Sequence, residues 1–175
     1  MKHILDAAAS DLPFRRRVCL LRRSLLSICC VATFPALAAD PYGYWVVNAA
    51  PDGVKLGVIF PEYSTNDFAG LSFTCVPGRQ DVQLVADGPQ TLNKGAVGTI
   101  EIGTGEERAT YKGRAETSEM DDGVRVIAST TLADPIFRTL ARGQPIAVNA
   151  AGQKMVLPSR GAPAAIKQFL GRCGG

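Results

Sequence analysis

The chain has 175 residues, with 19 Lys or Arg, 16 Asp or Glu and a single histidine, for a formal charge of +3. The excess lies in residues 1–38, which carry six bases and two acids; residues 39–175 carry thirteen and fourteen, a near-neutral balance with no electrostatic footprint for DNA or RNA. The one histidine, His3, is in the first segment, so the rest excludes Ser-His-Asp or Cys-His catalysis and His-ligated zinc.

The first segment reads as a secretory signal. Arg15, Arg16, Arg17, Arg22 and Arg23 precede an apolar run from Leu25 to Phe34. Pro35 breaks the run, and Ala36 and Ala38 are the small residues that signal peptidase needs. Cleavage is expected after Ala38, giving a periplasmic or secreted product. The run is shorter than the roughly 20 residues that span a bilayer; an uncleaved anchor is the alternative. Arg22-Arg23-Ser24-Leu25-Leu26 is like a twin-arginine signal, although Leu21 stands where Ser or Thr is usual. A basic n-region for general secretion accounts for the same residues. Leu26-Ser27-Ile28-Cys29 departs from a lipoprotein box at Ile28.

Strand signals dominate the remainder. Tyr44–Asn48 is aromatic and β-branched, Pro51-Asp52-Gly53 is a turn, and Val54–Ile59 returns. A polar loop, 61–67, leads to Leu71–Val76, where Leu71, Phe73 and Cys75 share one face. Val82–Val85, Val97–Ile102 and Arg108–Lys112 follow, the last two joined by Gly103-Thr104-Gly105. Asp121-Asp122-Gly123 turns the chain into Val124–Ser129, whose Val124, Val126 and Ala128 alternate. Residues 134–142 predict a short helix with Asp134 as N-cap, Pro135 at its first position and Gly143 as its stop. Strands at Ile146–Asn149 and Lys154–Leu157 flank a turn at Gly152. A last helix, 163–172, carries an apolar stripe of Ala165, Ile166, Phe169 and Leu170. Short strands at this spacing predict a mainly β domain over 39–175, an antiparallel β-sandwich or barrel. No internal repeat or linker divides it.

Cys19, Cys29 and Cys30 belong to the leader; Cys75 and Cys173 remain. An even pair in an exported chain is expected to form a disulfide, with two buried free thiols as the alternative. The bridge would pin the last helix over the strand ending at Cys75, with Ile166 and Phe169 covering the face that bears Phe73.

Three stretches, LSFTC, IFRTLARGQPIAV and AIKQFLGRC, carry a resemblance. The order of strand ending in Cys, short helix, strand pair and terminal helix closed by Cys resembles small exported bacterial envelope proteins of the type VI secretion-associated TagO type. That group commonly has a further N-terminal cysteine and an aromatic after the last one; here Gly174 follows Cys173. The resemblance implies an exported, disulfide-closed β-domain, usually without known activity.

No nucleophile elbow, phosphate loop or C-x-x-C motif is present. No motif calls for a cofactor or a metal. Glu116, Glu119, Asp121 and Asp122 form an acidic cluster able in principle to hold calcium or to supply paired carboxylates for glycan hydrolysis. Its spacing is not that of a calcium loop, and a solvated turn explains it as well. Tyr42, Tyr44 and Trp45 are candidates for a sugar- or peptide-binding platform. Trp45, the only tryptophan, suits the core equally well, and Tyr42 is the member expected to be exposed. The sequence therefore predicts a non-enzymatic protein that binds an envelope or host protein through a sheet edge or this aromatic segment. A secretion-apparatus accessory and a carboxylate-based glycan enzyme are the alternatives.

Overall fold

Inward residues at alternate positions build nine antiparallel strands, and β-strands such as Gly53–Ile59 bury both faces toward one end. The computed structural model describes residues 42–61, 68–104, 107–117 and 123–175. Residues 1–41, with His3, Cys19, Cys29 and Cys30, and Glu119, Asp121 and Asp122, lie outside the described residues. The strands are β1 (Tyr44–Ala50), β2 (Gly53–Ile59), β3 (Leu71–Cys75), β4 (Asp81–Gly88), β5 (Val97–Thr104), β6 (Glu107–Thr117), β7 (Val124–Thr131), β8 (Ile146–Ala150) and β9 (Gln153–Leu157). The helices are α1 (Ile136–Leu140) and α2 (Ala162–Cys173).

All nine strands form one sheet in the order β1-β2-β3-β4-β7-β6-β5-β8-β9. The register places inward residues opposite one another across the strands. Leu56 faces Phe73, Phe73 faces Leu84, and Leu84 faces Ala128. On the other half Ile102 faces Val148, and Ile146 faces Leu157. The sheet coils until its two ends meet at a point. The Trp45 N–H of β1 donates to the Arg160 carbonyl just past β9 at 2.9 Å. The Trp45 indole Nε1 donates to the Pro158 carbonyl at 2.8 Å. The expected sandwich or barrel is thus a single coiled sheet, joined at this seam by a point contact.

Both helices pack on the concave face. Phe137 of α1 stands between Phe73 of β3 and Phe169 of α2, with ring centroids 5.2 and 5.8 Å away. The predicted cover of Phe73 by Phe169 is therefore mediated by α1. Burial of three such rings is among the larger favourable contributions in a domain of this size. Cys75 and Cys173 form a disulfide with Cα atoms 6.0 Å apart, closing a separation of 98 residues. Gly78 N–H also donates to the Cys173 carbonyl, so the end of α2 is held by backbone as well as sulfur. Chain-entropy arguments put such a bridge at roughly 4–5 kcal/mol.

Element boundaries differ from the sequence reading where inward residues are small. β6 runs for eleven residues because Ala109, Tyr111, Gly113 and Ala115 continue its inward alternation, a weak hydrophobic signal. α1 is only five residues, since i→i+3 hydrogen bonds to Arg142 and Gly143 tighten its end. α2 begins at Ala162, one residue before Pro163, and includes Cys173 as its last residue.

Candidate functional site

A cleft of about 360 Å³ opens between β6 and α1. Its polar groups are engaged with one another. Asp134 accepts hydrogen bonds from the Tyr111 hydroxyl at 3.1 Å, from the Ile136 N–H at 2.8 Å and from the Thr130 hydroxyl. The helix begins at Ile136 with Pro135 as its N-cap, one residue later than predicted; Asp134, just before the cap, still accepts from the first N–H of α1. Burial, followed by the nearby Asp134 charge, pushes the Tyr111 phenol well above its usual range, so it stays neutral and keeps donating. Glu107 accepts from the Thr139 hydroxyl at 3.0 Å and pairs with Arg142 at 2.6 Å. The Arg142 hydrogen bond, then that of Thr139, holds the Glu107 carboxyl below its usual range. These two carboxylates, each committed to donors, fasten α1 to β6. Thr104, at the end of the inward face of β5, has a buried hydroxyl with no partner among the described residues.

The aromatic candidates separate. Trp45 is buried at 3 % exposure, with its indole N–H spent on the seam. Tyr42 is exposed at 66 %. Tyr44 is half-buried, with the Arg160 guanidinium carbon 6.0 Å from its ring centroid. Trp45 therefore does not join Tyr42 and Tyr44 in an exposed platform. Of the acidic cluster only Glu116 is described; it is exposed on β6, opposite Arg125 of β7. No group of three or more His, Cys, Asp or Glu side chains able to hold a metal occurs among the described residues.

The most open feature is the outer flank of β9, which the sequence reading did not single out. β8 and β9 are joined by a two-residue turn, Ala151-Gly152, with φ of 50° and 99°. These values suit the type I′ turn of tight hairpins. The turn is closed by the pair Ala150 and Gln153. The antiparallel alternation then directs Gln153, Met155 and Leu157 toward β8 and turns the N–H and C=O of Lys154 and Val156 outward. No backbone partner for either occurs among the described residues. Val156 is 54 % exposed.

Beside this edge the outer face sinks into a hollow of about 520 Å³. Gly103 and Ala147 form its floor, Lys154 and Val156 one wall, and Arg108 the far wall. A Cβ on Gly103 would lie 2.5 Å from the Glu107 carbonyl and 2.9 Å from the Arg108 Cγ, so only glycine admits this crossing. Glu101 on the rim accepts from the Asn149 amide at 3.1 Å. A sequence signal for this surface exists: residues 135–175 contain six Lys or Arg and no Asp or Glu. The near-zero balance of residues 39–175 as a whole conceals that asymmetry.

No family model, no curated protein and no solved structure matches the chain. Among the described residues no helix is long and apolar enough to cross a membrane.

Proposed function

We propose that this is an exported envelope protein, periplasmic or secreted, that acts by binding another protein and not by catalysis. The partner adds an extended segment to the free edge of β9. The observation that carries this reading is the outward-facing backbone of Lys154 and Val156, unpaired among the described residues, beside an exposed Val156 side chain. Main-chain pairing at such an edge supplies affinity, and alternate side chains supply specificity. Export rests on the leader of residues 1–38 and agrees with the Cys75–Cys173 bridge, which belongs to oxidising compartments. The TagO-type resemblance, carried by the three stretches quoted above, points to the same kind of envelope protein.

Val156→Pro separates this reading from one centred on the aromatic segment. The Val156 N–H takes no part in the β8 ladder, and edge strands tolerate proline where the N–H faces out. Capture of a partner by crosslinking in intact envelopes is expected to disappear in Val156→Pro and to survive Tyr42→Ala combined with Tyr44→Ala. The opposite pattern would move the binding face to the β1 end.

A further inference from the structure

The edge-binding reading leaves the chemistry of the incoming segment open, and the charges around β9 supply it. We propose that the segment is acidic, with a carboxylate side chain opposite Lys154 and an apolar side chain two residues away, opposite Val156. This rests on β9 being the docking edge.

Lys154 and Val156 lie on the same outer face of β9, since side chains alternate with a period of two. A strand added beyond β9 therefore places two of its own side chains, also two residues apart, directly beside them. Side chains so opposed come within about 5 Å, and opposite charges there are favourable while like charges are not. Lys154 is exposed and has no carboxylate at ion-pair distance among the described residues. Among the described residues the one acid on the neighbouring rim, Glu101, already accepts from Asn149. Arg108 is likewise without an ion-pair partner among the described residues. It stands on β6, three strand spacings or roughly 14 Å from β9, beyond reach of an added strand's side chain. It contributes field and not contact. The stretch 135–175, which includes β9 itself, carries no Asp or Glu. An anionic segment is thus attracted at long range and paired at one position.

The test uses three peptides on the full chain with its disulfide intact. The probe is Ser-Val-Ser-Glu-Ser-Val-Ser, and two controls replace its Glu by Lys or by Ser. Binding is followed by the NMR shifts of the Lys154 and Val156 amides, which register weak complexes. The Glu peptide is expected to saturate at a concentration at least about tenfold below the Lys peptide, a preference that added salt reduces. Lys154→Glu is expected to reverse the order of the two, an outcome that a merely damaged fold would not produce. Arg108→Glu is expected to weaken the Glu peptide only about twofold. Equal binding of the Glu and Ser peptides, lost in Val156→Pro, would overturn the acidic specificity and leave the edge reading standing. Glu-peptide binding that persists in Val156→Pro would overturn the edge reading and with it this inference. Absence of binding by all three peptides would overturn both.

Discussion

At the scale of single residues, two positions hold strain that the chain does not need for its fold. Ala151 adopts a φ of 50° in the β8–β9 turn, a left-handed conformation that costs an ordinary residue roughly 1–2 kcal/mol. Ala151→Gly gives up part of that gain through unfolded-state entropy and is expected to raise stability by about 0.5–1 kcal/mol in urea denaturation. Thr104 buries a hydroxyl without a partner among the described residues. Thr104→Val removes the uncompensated polar group at nearly constant shape and is expected to stabilise by about 1–2 kcal/mol, read in the same way. Neither position was legible in the sequence. The Gly152 turn was visible, but Ala151 carries no mark of a positive φ. An orphaned hydroxyl exists only once the strands around it are paired. Trp45 shows the reverse limit: its residue type suits a binding platform and a core equally, and its indole bond to Pro158, 113 residues away, decides between them.

At the scale of elements, α1 and α2 are each held by something other than their own length. Five residues make no independent helix, and α1 is fixed by Phe137 in the core and by the Asp134 and Glu107 contacts at its ends. The folded-state pKa of Glu107 is lowered, so its contribution is present above the unfolded carboxylate value near about 4.3 and is lost as pH falls through the folded one. Glu107→Gln is therefore expected to reduce thermal stability at neutral pH, with the difference from the parent vanishing in acid. A difference that persisted at low pH would contradict the ion-pair account. For α2, Cys75→Ser with Cys173→Ser is expected to cost about 2–5 kcal/mol, measured by denaturation against the oxidised parent. Strong alternation and the Gly, Pro and Asp turns made all nine strands and both helices legible in the sequence. Their ends were less so: β6 extends through Gly113 and Ala115, whose small side chains give little contrast between inside and outside.

At the scale of the whole molecule, strand order was not legible, because no local signal says that β4 pairs with β7 and not with β5. That order decides which edges stay free, and hence the site. It leaves β1 and β9 at the two ends; α2 packs against β1, and the start of β1 is tied to Arg160. The outward backbone of β9 at Lys154 and Val156 remains, with no backbone partner among the described residues. The aromatic segment and the acidic cluster drew attention because their residue types suggest chemistry. The β9 edge consists of ordinary residues whose importance comes from position alone. Hydrogen exchange at two amides tests the central claim most directly. It is measured on the protein alone and bound to the partner captured by Val156-dependent crosslinking. The Lys154 and Val156 amides are predicted to exchange rapidly in the free protein and to become protected in the complex, while Gln153 and Met155 are protected in both. Protection of Lys154 and Val156 in the free protein, or their rapid exchange in the complex, would contradict docking on this edge.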